Sequence, residues 1–232
     1  MKQLTKNQLK ILAIVCMTID HIGAAFFPQA VWLRVIGRLA FPLFSYCIAE
    51  GCRYTRNKAR YFGSVFACGA VCVIAFLPFG GFCGNALITL SLSILLLYGM
   101  EAWKSSGKLR FLALTAALAA VFYLLCRTVY IDYGFAGVLL PVYAAAGRLL
   151  WERVFVGIPP VIGERLGFAI GLLALAGVMG GVQRFCVLAI FPILLLGNER
   201  GKWEMQHFFY IYYPAHLAVI GALRMAFEAA AG

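Results

Sequence analysis

Residues 9–28 read LKILAIVCMTIDHIGAAFFP, and this stretch decides the class of the protein. An α-helix needs about 20 mostly apolar residues to cross the hydrocarbon core of a bilayer, which is the length of this stretch. It carries two polar side chains that are rare inside such a helix, Asp20 and His21. Because it lacks a convincing small-x-small cleavage site, we interpret it as a retained first span rather than a signal peptide.

Apolar runs of similar length follow along the rest of the chain. The 232 residues are 63% apolar and 12% charged, whereas soluble domains have about 45–50% and about 25%, so an ordinary soluble protein is excluded. We predict an all-α, polytopic integral membrane protein with about nine transmembrane helices, forming one transmembrane domain over residues 1–232. The predicted spans are 9–28, 31–51, 60–79, 85–103, 109–127, 130–148, 164–181, 185–197 and 207–227. The run at 185–197 is short for a full crossing and could tilt or re-enter.

The positive charges between these runs predict how the chain is oriented. The 20 Lys and Arg outnumber the 9 Asp and Glu, but they lie in small groups between apolar runs, which argues against nucleic-acid binding. Cytoplasmic loops of membrane proteins are enriched in Lys and Arg, so we place the N-terminus in the cytoplasm and the C-terminus outside. An even number of spans would reverse the C-terminal helix. The predicted inside loops contain Arg53, Arg56, Lys58, Arg60, Lys104, Lys108, Arg110, Arg148, Arg153, Arg165, Arg200 and Lys202.

The cysteines and histidines do not predict a metal site. The chain has 8 cysteines but no CxxC pair, and no two candidate ligands have the spacing of a zinc site. Most of the cysteines lie inside apolar runs, where a small and weakly polar side chain is a packing residue.

Charged side chains inside the first two predicted spans are the main candidates for a site. A charge near the bilayer centre costs about 2.5–3.5 kcal/mol on insertion scales, so it usually marks a pathway or a site. Asp20 and His21 point about 100° apart on a helix, so we expect them to address different neighbours. Arg34 and Arg38 share one helix face, and we expect one of them to pair with Asp20 and to leave the other free for an anion or carbonyl. The alternative is a structural ion pair, with the histidine bonded to a backbone carbonyl and Arg34 snorkelling to the headgroups.

Three more polar residues within the predicted spans are candidates for binding a substrate. Asn85 begins the fourth span and could bind a substrate or could cap the helix. Tyr213 and His216 lie within the last span, in FFYIYYPAHL. The tyrosines there also fit an aromatic belt, and His216 could serve only to pack helices.

A cationic segment follows the second predicted span. Arg53, Tyr54, Arg56 and Asn57, continued by Lys58 and Arg60, could hold the phosphates of a soluble cofactor. The alternative is a solvated cytoplasmic loop that only sets the orientation of the chain.

Several of these motifs together resemble the TraX family of membrane proteins, whose namesake is associated with acetylation of conjugative pilin. The similarity covers nearly the whole chain, and it is the order of the motifs that makes it specific. The matching segments are LKILAIVCMTIDHIGAAFFP at 9–28, LRVIGRLAFPLFSYCIAEGCRYTRNKARY at 33–61, NALITL at 85–90 and FFYIYYPAHL at 208–217.

This resemblance implies an integral-membrane acyltransferase of the bacterial cytoplasmic membrane. It implies acetyl-CoA as the acyl donor, no metal, and an amine or hydroxyl acceptor on a pilin-like peptide or a glycan. His21 then matches the catalytic histidine, as a general base or an acyl carrier, with Asp20, Arg34 and Arg38 as its charged partners.

A second class of function fits the same residues. Intramembrane Asp, His and Arg also build proton relays, so a transporter or proton-coupled permease using Asp20, His21 and Arg38 is the alternative. The sequence shows no inverted repeat or paired broken helices, which counts modestly against a transporter.

Overall fold

The computed structural model describes residues 3–76, 84–197, 199, 201 and 206–231, and it is all-helical over these residues, with no β-strand. Residues 77–79, the end of the third predicted span, and the predicted inside-loop residues Arg200 and Lys202 lie outside the described residues. The helices are α1 (Lys6–Phe26), α2 (Val31–Gly37), α3 (Ala40–Tyr54), α4 (Lys58–Phe76), α5 (Ala86–Ser106), α6 (Leu109–Thr128), α7 (Gly134–Val154), α8 (Val161–Met179), a 3₁₀ helix (Gly181–Ala189), α9 (Ile190–Leu194) and α10 (Gln206–Ala231).

Seven segments in the described part of the chain are long and apolar enough to cross a membrane. They are α1, the pair α2 and α3 taken together, and α4 to α8. The prediction of an all-α, multi-pass membrane protein is therefore confirmed.

The second predicted span is divided into two helices. α2 ends at Gly37 and α3 begins at Ala40, so Arg38 lies at the break rather than inside a continuous helix. Pro42 falls in the first turn of α3, where its missing N–H leaves no intrahelical bond unmade. The break places the side chain of Arg38 close to that of Asp20 in α1.

The eighth predicted span is a 3₁₀ helix followed by the short helix α9. Nine residues is long for a 3₁₀ helix, since runs beyond about 3–4 residues are uncommon. Its buried residues are Gln183, Cys186 and Ala189, which recur every third position. A three-residue turn aligns these side chains on one face, which explains why this geometry suits the sequence.

This segment runs beside α1 over most of the length of that helix. At one end, Gln183 accepts a hydrogen bond from Arg38, which is bound to Asp20. At the other end, the backbone N–H of Gly197 donates to the carbonyl of Leu4 over 2.8 Å. A 3₁₀ helix rises about 2.0 Å per residue and an α-helix about 1.5 Å, so the segment from 183 to 197 and α1 from 4 to 20 both extend on the order of 25 Å. The segment therefore covers most of the roughly 30 Å hydrocarbon core with fewer residues than an α-helix of the same length.

The last helix runs parallel to the first. Lys10 contacts the ring of Phe209 near the start of both helices, and Phe26 packs on Phe227 towards their ends. At 26 residues α10 is long enough to cross a bilayer, although its tyrosines and Arg224 make it more polar than the seven segments above. With α10 and the 3₁₀ segment included, the described chain has nine candidate crossings.

The chain forms two compact units, of which the first joins the two ends of the sequence. It comprises Met1–Phe44 and Met179–Gly232. Its core contains Cys16, Met17 and Ala40, against which Tyr212 and Tyr213 pack.

The second unit comprises Ser45–Val178. One of its cores contains Leu96, Phe122 and Val138. The cysteines that the structure describes form no disulfide bond in either unit.

α7 and α8 in the second unit pack through glycines. A Cβ atom at Gly167 would lie 2.2 Å from the carbonyl oxygen of Tyr143, and one at Gly147 would lie 2.3 Å from that of Gly163. Small residues spaced by four allow membrane helices to approach this closely. The contact brings the first turn of α8, which carries Glu164, against α7.

Candidate functional site

Two histidines from α1 and α10 form the centre of the candidate site in the first unit. Nδ1 of His21 lies 2.8 Å from Nε2 of His216. The two rings are stacked, with centroids 5.0 Å apart and planes 21° from parallel. His216 is buried and His21 is partly exposed. The sequence predicted a role for each histidine but not that they would contact one another.

A backbone carbonyl determines which nitrogen atoms of this pair carry protons. Nδ1 of His216 lies 2.9 Å from the carbonyl oxygen of Tyr212, one helical turn earlier. Because a carbonyl can only accept, Nδ1 of His216 is the donor, and Nε2 of the neutral ring has the lone pair. Nδ1 of His21 then donates to that Nε2. The neutral pair therefore leaves Nε2 of His21 unprotonated, and this atom has no hydrogen-bond partner among the described residues.

Aromatic and hydroxyl groups hold the ring of His216. The ring of Tyr212 stacks on it at 5.2 Å and 8°, and the ring of Tyr213 meets it edge-on at 5.6 Å. The hydroxyl of Tyr212 is 2.7 Å from that of Thr18, which itself lies 2.9 Å from the carbonyl of Ile14. These contacts attach α10 to α1 beside the histidine pair.

Asp20, the residue before His21, is at the centre of a cluster of charged side chains. Nη2 of Arg38 lies 2.6 and 2.5 Å from the two carboxylate oxygens of Asp20. Nη1 of Arg34 lies 3.0 Å from Oδ2 of the same carboxylate and donates to the backbone oxygen of Asp20. As predicted, Asp20 and His21 address different neighbours. The expectation that Asp20 would pair with one arginine and leave the other free is wrong, because both arginines bind it.

The two arginines nevertheless differ in their remaining donors. Arg38 also donates through Nη1 to Oε1 of Gln183 and through Nε to the carbonyl of Arg34, so all its nitrogen atoms have acceptors. Arg34 uses only Nη1, and its Nε and Nη2 have no partner among the described residues. The Arg34 side chain is 33% exposed. The cluster of Asp20, Arg34 and Arg38 has a formal charge of +1, so Arg34 can still hold an anion or a carbonyl oxygen.

Gly37 allows this cluster to form. A Cβ atom at that position would lie 2.1 Å from Oδ1 of Asp20. Only glycine lets the end of α2 approach the carboxylate this closely.

Sequence reasoning missed Gln183, Thr18 and Tyr212. Gln183 stands beside Arg184 in a predicted outside loop, so nothing in the sequence distinguished it, and its Nε2 is buried without a partner among the described residues. Tyr212 was detectable from its spacing of four residues before His216, which places both on one face of α10.

Asn85 belongs to the second unit and caps α5. Its Oδ1 accepts from the backbone N–H groups of Leu87 and Ile88, and its Nδ2 donates to the carbonyl of Gly69 over 2.8 Å. All its polar atoms are thereby engaged. Its contacts are therefore those of a helix cap, which was the alternative to substrate binding.

The predicted phosphate-binding segment, also in the second unit, divides into paired and unpaired residues. Arg53 binds Glu164 at 2.5 Å and lies over the exposed ring of Tyr54. Asn57 accepts from the backbone N–H of Arg60 and thereby begins α4. Lys58 binds Glu101 at 2.8 Å. Arg56 and Arg60 are exposed and have no ion pair among the described residues.

These observations define a multi-pass membrane protein whose first and last helices bring two histidines together beside a buried carboxylate held by two arginines. The chain belongs to the TraX family: the sequence profile of that family, described as "TraX protein", matches residues 5–224. The family resemblance that the motifs predicted is therefore confirmed.

Three known proteins show how the chain is related to others. It is 28% identical to a probable fimbrial assembly protein FimC (serogroup H1) of Dichelobacter nodosus, over 94% of this chain and 95% of that protein. It is 24% identical to protein TraX of Escherichia coli, over 95% of this chain and 87% of that protein. An uncharacterised protein of Rickettsia prowazekii is 43% identical over 56 residues, which cover 24% of this chain and 22% of that protein. No solved structure matches the chain.

Proposed function

We propose that this protein is a membrane acyltransferase that moves an acetyl group from acetyl-CoA to an amine or hydroxyl acceptor. The observation that carries the proposal is the histidine pair, because it leaves Nε2 of His21 as a free base. A neutral imidazole is suited to this task, since the reference pKa of histidine is about 6.5.

In the proposed reaction, the acceptor N–H or O–H gives its proton to Nε2 of His21 while its heteroatom attacks the thioester carbonyl carbon. The carbonyl oxygen of the resulting tetrahedral intermediate takes up the electron pair. Collapse of the intermediate re-forms the carbonyl and breaks the carbon–sulfur bond, and His21 returns the proton to the departing thiolate. The hydrogen bond from Nδ1 of His21 to His216 keeps the ring oriented throughout. Transient acylation of His21 is the covalent variant of the same reaction.

Arg34 is the residue that we assign to the developing oxyanion. Its unpartnered Nε and Nη2 are donors on a partly exposed side chain, and preorganised donors at a developing charge are usually a large part of catalysis. Asp20 accepts from both arginines, so we assign it to positioning them rather than to proton transfer. Arg38 joins that carboxylate to Gln183. We assign Tyr213, whose ring contacts that of His216, to the wall of the acceptor site.

The names of the relatives support an acceptor on a surface appendage. One relative is named for fimbrial assembly, so a pilin-like peptide is the acceptor we propose first, with a glycan second. The two relatives that match over most of their length are both bacterial. A chain with seven apolar spans fits the bacterial cytoplasmic membrane. There the cytosol supplies acetyl-CoA. Its phosphates would meet Arg53, Arg56, Lys58 and Arg60, of which Arg56 and Arg60 are exposed and have no ion pair among the described residues.

Replacing His21 by asparagine is the test of this proposal. The asparagine amide can still donate to His216 from the place of Nδ1 but has no group at the place of Nε2. A positioned general base contributes about 10²- to 10⁴-fold, so His21→Asn should lower acetyl transfer at least 100-fold. Purified protein is incubated with labelled acetyl-CoA and pilin-like peptides or glycans, and size-exclusion chromatography confirms a monodisperse sample. Arg224→Gln, which alters only an exposed pair with Glu228, is the control and should keep full activity.

Near wild-type transfer by His21→Asn would exclude the mechanism. Proton-coupled flux in liposomes without any acetyl transfer would instead favour the permease, in which the histidine pair conducts protons.

A further inference from the structure

The second unit contains a cavity of about 420 Å³ whose lining includes neither His21 nor the residues that hold it. Ligand pockets usually measure about 300–1,000 Å³ and are mostly apolar with a few polar groups. The apolar part of this wall is formed by Ala49, Cys52, Leu97, Met100, Ala145 and Leu149. Its charged part is formed by Arg53, Glu101, Lys104, Arg148 and Glu164.

The buried carboxylate of Glu164 holds two of the cations in place at this cavity. Glu164 is 2% exposed, and its Oε2 lies 2.5 Å from Nη1 of Arg53 and 3.0 Å from Nη1 of Arg148. A buried charge is strongly unfavourable without such partners. Glu152, which does not line the cavity, binds Lys104 and Arg148 from behind the wall.

The three cations of the wall, Arg53, Lys104 and Arg148, have N–H groups that their ion pairs do not use. Nε of Arg53 is buried and has no partner among the described residues, and its Nη2 lies 3.8 Å from Glu50, beyond hydrogen-bond distance. Arg148 uses Nε and Nη1 only, and Lys104 pairs with one carboxylate although its ammonium has three N–H groups. These N–H groups without an acceptor on three neighbouring cations are what the wall offers to an anion.

We propose that this cavity binds an amphiphile that carries a phosphate group, with its apolar arm between Leu97, Met100 and Leu149 and its phosphate at Arg53, Lys104 and Arg148. Two sources share this chemistry, a coenzyme A thioester from the cytosol and an anionic phospholipid from the bilayer. The assignment of coenzyme A as the ligand rests on the proposed function. The proposal that a phosphate-bearing amphiphile binds in the cavity does not. Lys58 binds Glu101 in the cavity wall, so the exposed segment with Arg56 and Arg60 adjoins this site.

Two variants separate the apolar and the charged halves of the site. Ala145→Leu fills the cavity without altering a charge, and Lys104→Met removes one donor while Arg148 still binds Glu152. Arg110→Met, an exposed basic residue that lies over Phe111 and does not line the cavity, is the control. Binding of coenzyme A is measured by titration calorimetry in a neutral detergent, and binding of phosphatidylglycerol by native mass spectrometry from vesicles.

We expect wild-type protein and Arg110→Met to bind at least one of the two probes, and both cavity variants to bind it at least tenfold more weakly. Binding of coenzyme A alone identifies the donor, and binding of phosphatidylglycerol alone identifies a lipid; either supports the site. No binding of either probe by wild-type protein, or unchanged affinity in both variants, overturns it. Wild-type protein that binds a probe but transfers no acetyl group to any acceptor would refute the proposed function and leave the cavity assignment standing. His21→Asn should bind as wild type does, because His21 does not line the cavity.

Discussion

At the scale of the residue, His216 acts through its Nε2, which accepts a hydrogen bond from His21. Its other nitrogen is held by the carbonyl of Tyr212 in the same helix, so the direction of the hydrogen bond is determined by the backbone of α10. In the proposed reaction His216 is therefore a positioning residue, since it reaches the reacting atoms only through His21.

Replacing the acceptor atom of His216 should lower turnover without abolishing it. In His216→Phe the Nδ1 of His21 loses its partner, so we expect kcat for acetyl transfer to fall about 10- to 100-fold, the range found for supporting partners of functional histidines. KM for acetyl-CoA should remain unchanged. His216→Gln offers an amide oxygen near the place of Nε2 and should recover part of the loss. Steady-state kinetics that show equal kcat for Phe and Gln would contradict the positioning role.

The sequence predicted these residues better than it predicted their partners. Asp20, His21, Arg34 and Arg38 were detectable because a charge inside an apolar run is rare, and helical spacing placed the arginines near Asp20. That His21 would meet His216 was not predictable, because a contact across 195 positions depends on how α1 and α10 pack. Asn85 was ambiguous for a similar reason: whether an amide caps a helix or binds a ligand depends on its surroundings.

At the scale of the element, the glycines of α8 decide how closely it packs on α7. The close contact of Gly167 with Tyr143 brings the start of α8 to α7 and allows Glu164 to reach Arg148. The spacing of Gly163, Gly167 and Gly171 is visible in the sequence, but the partner helix is not.

A methyl group at Gly167 should loosen this helix pair. Its Cβ would lie 2.2 Å from a backbone oxygen, which cannot move aside as a flexible side chain could. We expect Gly167→Ala to destabilise the protein by about 1–3 kcal/mol, as overpacking does. Gly177→Ala in the same helix is the control, because a Cβ there meets nothing within 4 Å. Thermal unfolding in detergent measures both, and equal midpoints for the two variants would show that the close contact does not matter.

Hydropathy predicted an apolar segment at the 3₁₀ helix but not the type of helix that it forms. The apolar run at 185–197 was predicted as a span, but its helix type depends on burial at every third residue, which hydropathy does not report. Because each residue rises further in a 3₁₀ helix, a segment too short for an α-helical crossing still extends along α1 from Asp20 to Leu4.

At the scale of the whole molecule, we predict nine crossings, which would put α1 and α10 in the same orientation and residues 6 and 231 on opposite sides of the membrane. The parallel contact of α1 and α10 requires an odd number of crossings between them. The two helices and the crossings between them, with the 3₁₀ segment as one, make nine. The excess of Lys and Arg in alternate loops then predicts a cytoplasmic N-terminus.

Reporter fusions test this arrangement directly. Alkaline phosphatase joined after residue 231 or at residue 131 should be active, because the predicted arrangement puts both sites outside. Fusions at residue 107 should instead give fluorescent protein and inactive phosphatase. A fluorescent C-terminal fusion would show that the 3₁₀ segment does not cross, and thus that the chain has an even number of spans.

The pairing of the first helix with the last has a consequence for biosynthesis. Helices enter the membrane in the order of synthesis, and at about 5–20 residues per second the ribosome needs on the order of 10–40 s to travel from His21 to His216. During that time α1 has no α10 beside it, and Nδ1 of His21 has no imidazole acceptor. A nascent chain therefore carries no competent histidine pair, however many of its helices are inserted. Under the proposed function, acyl transfer can begin only after α10 has been inserted and packed against α1, so the onset of activity would mark the formation of this helix pair.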